Sequence, residues 1–374
     1  MNPTERLEQL RKRMRTKGLG YFLIAKFSDI HSGSGANIRW LCGFSGSNGV
    51  LAVASRRAVL ITDGRYATQA QEETGGAVDI VVYQPAPTLA QSFANALKEC
   101  GIFRRQGKIG FEAARLTYDF YQALRDQFPH HTMVPLYSIV ETLQVIKAPE
   151  EVEAIRTAAV ISDRVFREVL PIIKPGVSEL EVAAEISCRH RRYGAHKDAF
   201  ESIVASGARS ALPHGIASPK IIEEGDFVTL DFGCYADGYV CDITRTVVVG
   251  NPSEEQIKVY DTVLSAQEAA IRAVRPGVSA RQVDNVARER ITQAGYGQYF
   301  THGLGHGIGM EVHAAPRLNA TSRDRLQPGM VITIEPGIYI PGWGGVRIED
   351  DVLVTETGAE VLTTSPKHLI KVPL

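Results

Sequence analysis

The sequence predicts an α/β N-terminal domain over residues 1–145, followed by an α+β domain over 146–374 with an internal pseudo-two-fold repeat. Three observations predict it. A chain of 374 residues exceeds one ordinary core. Its first part alternates helical and strand patterns, and the tetrapeptide Pro-Gly-Val-Ser occurs at both 175–178 and 276–279.

In the first domain, Pro3 to Lys17 places Leu7, Leu10 and Met14 at helical spacing and stops at Gly18 and Gly20. Tyr21 to Ala25 reads as a strand. Gly49 to Ala54 and Ala58 to Thr62 read as two strands joined by a turn at Ser55-Arg56-Arg57. Helices fit Ala67 to Glu73, Leu89 to Glu99 and Tyr118 to Gln127. Lys147-Ala148-Pro149-Glu150-Glu151 then opens a long helix, since proline and acidic residues suit a first turn.

In the second domain, each Pro-Gly-Val-Ser follows a long helical stretch and starts a helix with a capping box, Ser178 with Glu181 and Ser279 with Gln282. Both helices are expected to end near Tyr-Gly, at 193–194 and 296–297. Downstream, GDFVTLDFG (225–233) aligns with GMVITIEPG (329–337), and Asp231 and Glu335 fall at the same place. If the halves pack about a two-fold axis, these carboxylates converge. Each half adds a second one: Asp242 on an expected strand from Tyr239 to Val248, and Glu349 beyond the turn-rich 341–345. Residues equidistant from a hairpin turn face each other roughly 5 Å apart. This places Asp231 opposite Asp242, and Glu335 opposite Glu349.

Four carboxylates at one point repel strongly unless cations neutralise them. Two divalent ions roughly 3.5–4 Å apart are a recurring hydrolytic solution. Oxygen-rich ligation favours Mn²⁺, and an imidazole also admits Zn²⁺ or Co²⁺. The imidazole is sought in the alternating-glycine run Thr301 to Gly309, where His306 is the most glycine-flanked; such glycines let backbone approach a ligand. A dinucleotide fingerprint is excluded, because GxGxxG fails at Met310.

LDFG, CDITRT, HGLGHGIG, EVH, TIEPG and RIED, in that order, resemble the pita-bread metallopeptidases, a family of Xaa-Pro aminopeptidases, Xaa-Pro dipeptidases (prolidases) and methionine aminopeptidases. The resemblance spans about 150 to 374. It implies Asp231, Asp242, His306, Glu335 and Glu349 as ligands of two ions, with Asp242 and Glu349 bridging both. It implies His214 and His313 as substrate-facing histidines and Glu335 as proton shuttle. Asn37 to Leu41, Gly43 to Ser47 and Thr62 to Tyr66 resemble the smaller domain of the proline-specific members, which implies short proline-containing peptides as substrates and a homodimer. The activity the resemblance implies is that of an Xaa-Pro aminopeptidase, with a prolidase, which shares every ligand, as the alternative. A non-catalytic binding protein and the metal-free creatinases are disfavoured by the complete ligand set.

Around this set, Arg347 projects from the same strand face as Glu349 and is read as orienting a ligand carboxylate. Thr244 is read as a partner of Asp242 on the same argument. Tyr339 is placed near the site. His302 stays open between a contact behind the ligands, a substrate contact and a loop residue. His31, His130, His131, His190, His196 and His368 are read as surface or linker residues, and Cys234 and Cys241 as small apolar fill.

Composition narrows the setting. A net charge of −1 gives no electrostatic reason for a nucleic-acid partner. No apolar run approaches the roughly 20 residues of a membrane span, and the charged first residues lack a secretory apolar region. Five cysteines argue against a disulfide framework and for a reduced, cytoplasmic setting.

Overall fold

The computed structural model describes residues 1–27 and 34–374, so the expectation for His31 lies outside the described residues. The chain divides into two compact units, Met1–Gln144 and Val145–Leu374.

The first unit is a six-stranded mixed sheet in the order Asp79–Val82, Ala58–Thr62, Gly49–Ala54, Tyr21–Lys26, Lys108–Glu112, Thr132–Leu136. The short turn after Ala54 makes its two strands antiparallel, whereas helical crossovers make the outer pairings parallel. Thr88 and Thr117 cap the helices Leu89–Glu99 and Tyr118–Gln127, which bury Phe93, Leu97, Phe120 and Leu124 in the core cluster with strand residues such as Leu23 and Val50.

The second unit repeats itself. Ser178 and Ser279 close capping boxes on helices Glu179–Arg192 and Ala280–Gln293. The backbone bonds match in the two copies: Gly176 N–H donates to Ile222 and Gly277 N–H to Leu326, then Gly225 to Val249 and Gly329 to Val354. Each copy has its own core. One packs Ile155, Phe166 and Ile186 with Val228 and Val247; the other packs Val263, Val283 and Ile291 with Ile332 and Val352. The second copy's short helix stops earlier than expected. Gly295, at φ 90°, takes the place of Gly194 at φ 91°, and Tyr296 leads into a short 3-10 turn instead.

Register corrects the first hairpin. Asp231 on Phe227–Phe232 faces Thr244 on Ile243–Val249, not Asp242. The expected strand from Tyr239 to Val248 is two strands, Tyr239–Val240 and Ile243–Val249. The break has a steric cause: Cys241 crosses so close to Gly233 that a Cβ there would sit 1.8 Å from the Cys241 carbonyl oxygen. In the second copy, Ile334 faces Asp350, so Glu335 and Glu349 fall opposite each other as expected. Glu349 therefore stands where the first copy has Thr244. An isolated antiparallel bridge joins Thr244 to Glu349 across the halves, with Glu349 N–H donating to the Thr244 carbonyl at 3.1 Å.

Close packing requires two of the alternating glycines. A Cβ on Gly305 would lie 2.1 Å from the Thr333 carbonyl, and one on Gly307 would lie 2.0 Å from that of Ala315. Among the described residues, no helix is long and apolar enough to cross a membrane.

Candidate active site

Asp231, Asp242, Glu335, Glu349 and His306 line a cavity of about 520 Å³ in the second unit, together with His214, His302 and His313. Asp231, at the end of Phe227–Phe232, and Glu335, just past Val331–Ile334, arrive from equivalent strands. Asp242 arrives from the strand break, where its N–H donates to the Asp351 carboxylate at 3.0 Å. His306 sits on the short strand Gly305–Gly307, and Glu349 precedes Asp350–Val354.

The side chains converge. One ligand atom each of Asp242, His306 and Glu349 lie within 4.8 Å of one another, all buried. His306 Nε2 is 3.3 Å from Glu335 Oε1 and 3.8 Å from Asp242 Oδ2. Asp231 Oδ2 accepts from Arg347 at 2.5 Å. Oδ1 of both Asp231 and Asp242 is buried without a hydrogen-bond partner.

The electrostatics follow. Burial, then the charge of Glu349, raises the Asp242 carboxyl well above the usual range; burial, then Glu335, does the same to Glu349. Burial also raises Asp231, against the opposing charge of Arg347. Burial works against ionisation of Glu335 too, but its hydrogen bond to His306 and nearby positive charge outweigh it and hold this carboxyl low. Anionic groups crowded in a dry place, two with orphaned oxygens, are a donor set suited to divalent cations. The residues present fit such ions.

The surrounding side chains form a framework. Thr244 Oγ1 donates to Glu349 Oε2 at 2.6 Å and accepts from Arg347 Nε at 3.1 Å. Thr244 thus partners Glu349 rather than Asp242. Arg347 also donates to the Tyr339 hydroxyl at 2.8 Å. His302 Nδ1 bonds the Gly303 carbonyl at 2.7 Å, which makes it the protonated nitrogen; Nε2 then accepts from Tyr339 at 2.9 Å. With both nitrogens engaged, His302 is held as part of the wall. His214 is exposed at the cavity mouth. His313 is also exposed, its ring 4.5 Å centroid to centroid from that of His306. Partial desolvation, with His306 beside it, lowers the His313 imidazole to about 4.

His190 departs from its expected surface position. It is fully buried, with Nδ1 2.7 Å from Asp198 and its ring against Phe232. Its alternation with charged neighbours on a helix end masks this in the sequence. Other residues carry no local signal at all. Asp284 accepts the Leu304 N–H at 3.0 Å, and Arg288 donates to the His302 carbonyl at 2.7 Å, so one helix fixes the approach to His306.

The sequence profile of metallopeptidase family M24 matches residues 153–356, and that of the creatinase/prolidase N-terminal domain matches 6–146. The chain belongs to metallopeptidase family M24. This M24 chain is 45% identical over 269 residues to an Xaa-Pro dipeptidase of Pyrococcus furiosus, covering 72% of this chain and 77% of that one. Among solved structures, an Xaa-Pro dipeptidase from Bacillus anthracis aligns at TM-score 0.90 and 44% identity, covering 99% of this chain and 100% of that one. An X-Pro aminopeptidase from Thermotoga maritima aligns at 0.88 and 36%, covering 98% and 99%. The pita-bread fold expected from the motifs is the fold of this M24 chain.

Proposed function

We propose that this M24 peptidase cleaves the bond between an N-terminal residue and a proline at position two. In this reading two divalent ions are held by Asp231, Asp242, His306, Glu335 and Glu349. The observation that carries the proposal is the convergence of Asp242, His306 and Glu349 in one cavity, with Glu335 and Asp231 lining the same cavity. Mn²⁺ is the proposed native metal, because oxygen donors dominate the set.

Bound divalent ions supply Lewis acidity and a nucleophile near neutral pH. The protein residues do the rest. Glu335, held ionised, accepts a proton from the attacking water and returns it to the leaving nitrogen. That nitrogen belongs to a tertiary amide and departs only when protonated. His313, neutral at pH 7, offers an N–H to the developing oxyanion, and His214 offers a second contact at the mouth. Tyr339, His302 and Arg347 form the wall against which substrate is positioned.

The names carried by the relatives favour a dipeptidase acting on Xaa-Pro over an aminopeptidase acting on longer peptides. Hydrolysis of Xaa-Pro and Xaa-Pro-Xaa peptides with Mn²⁺ tests both forms. Turnover of Xaa-Pro alone supports the dipeptidase, turnover of both supports the aminopeptidase, and turnover of neither refutes the proposal. Replacing Asp242 with Asn is expected to abolish both metal binding and turnover.

A cytoplasmic setting is proposed from the five unpaired cysteines. A homodimer is proposed from the family resemblance, and light scattering on the purified chain tests it.

A further inference from the structure

We infer that Arg245 is a positioning residue that sets the metal-ligand carboxylates by clamping the seam between the two repeat halves. The inference rests on the metal reading above. Asp242 belongs to the first half and Glu349 to the second, so the spacing between them depends on how the halves are joined. Among the bonds that join them is the isolated Thr244–Glu349 bridge, which the regular ladders on either side do not extend; Asp242 N–H to Asp351 and Arg347 to Asp231 also cross the seam.

Arg245 lies next to Thr244 in a strand and so projects to the opposite face, behind the cavity. It is 1% exposed. Its Nη1 donates to the carbonyls of both bridge residues, Thr244 at 2.9 Å and Glu349 at 2.5 Å. Its Nη2 donates to Asp350 Oδ1 at 2.7 Å and to the Ser365 carbonyl at 2.7 Å. Its Nε is shared between the carbonyls of Ser365 at 3.2 Å and Pro366 at 3.0 Å. All five guanidinium N–H donors are used, a pattern that a lysine's compact ammonium cannot reproduce.

The far side of the clamp is itself anchored. Asp163, on helix Pro149–Val169, accepts from the N–H and hydroxyl of both Thr364 and Ser365 at 2.5–2.8 Å. Asp350 is held by Gln267 at 2.8 Å and Thr363 at 2.8 Å. The guanidinium thus ties the bridge between the halves to an anchored segment, and through the bridge it contributes to the spacing between Glu349 and Asp242. Residues that orient ligands from behind typically change metal affinity about 10–100-fold when altered.

The test is Co²⁺ binding to the full chain, followed by calorimetry and by the visible ligand-field spectrum. Wild-type protein is the control on the metal reading: absence of a Co²⁺ spectrum there refutes that reading, independently of Arg245. Given a wild-type spectrum, Arg245→Lys is expected to weaken Co²⁺ binding about tenfold or more and to change the spectrum per bound ion. Val259→Ala, which opens the second core away from the clamp, is expected to lower the melting temperature with the spectrum unchanged. Wild-type affinity and spectrum in folded Arg245→Lys overturn the inference. If Arg245→Lys does not fold, Asp163→Asn decides: weaker Co²⁺ binding with an altered spectrum supports the clamp, and a wild-type Kd and spectrum overturn it.

Discussion

Thr244→Val removes one hydroxyl and the two bonds it makes between the halves. Valine preserves the branched shape in a fully buried place, so little cavity or overpacking energy enters. What disappears is the hydroxyl that donates to Glu349 at 2.6 Å and accepts from Arg347 at 3.1 Å. A hydrogen bond to a charged group contributes about 1.5–3 kcal/mol, and a stranded buried donor costs about 1–3 kcal/mol. Arg347 keeps its bonds to Asp231 and Tyr339, so the lower end of the second figure applies. The sum is about 3 kcal/mol, shared between folding and metal affinity. The affinity part should appear as a 10–100-fold weaker Kd for Mn²⁺, on the order of 1.4–2.8 kcal/mol. Calorimetric titration of Thr244→Val and of Thr244→Ser, which retains the hydroxyl, measures it. The serine variant should stay within a few-fold of wild type. A valine variant with wild-type Kd would refute the assignment of Glu349 as a ligand oriented by Thr244.

Further outcomes are expected. Metal at a hundred times its Kd stabilises by about 2.7 kcal/mol, so chelation should lower the melting temperature of this unit by about 5–10 °C; an unchanged melt after chelation would contradict tight binding by the folded state. Gly307→Ala forces a Cβ to within 2.0 Å of the Ala315 carbonyl and should destabilise by about 3 kcal/mol in urea unfolding; a neutral result would contradict the packing role. Burial lowers the Lys147 ammonium to about 8, below its ordinary 10.5. The unfolded chain then binds more protons between those values, so stability should rise with pH across that window and have no slope from this group below it. The penalty below pH 8 is on the order of 3 kcal/mol. Lys147→Met should remove both the penalty and the slope, and a variant with the wild-type pH profile would contradict the burial argument.

Much of the fold is written locally. Capping residues such as Thr88, Thr117, Ser178 and Ser279 mark helix starts because a side-chain oxygen must satisfy the first free amides. The repeat carries Asp231 and Glu335 to matched strand ends, and the ladders on either side, Ile334 with Asp350 and Gly337 with Arg347, keep one register across the gap in which Glu335 and Glu349 lie. The misreading of Asp242 arose where tertiary packing overrides hairpin symmetry. The close crossing at Gly233 breaks the strand, and Asp351 replaces the missing ladder partner. Gly305 and Gly307 signal close approach, but only the structure reveals that the approaching groups are backbone carbonyls. Arg245 stands inside the CDITRT motif, but its role and that of Asp163 were not legible because most of their partners lie far along the chain, Thr364 being 201 residues from Asp163.

Metal counting bears most directly on the central claim. After equilibration with Mn²⁺ and removal of excess, elemental analysis should find two ions per wild-type chain and almost none in Asp242→Asn. Less than one ion per wild-type chain, or an Asn variant that retains both, would contradict the claim that these converging carboxylates are a metal centre.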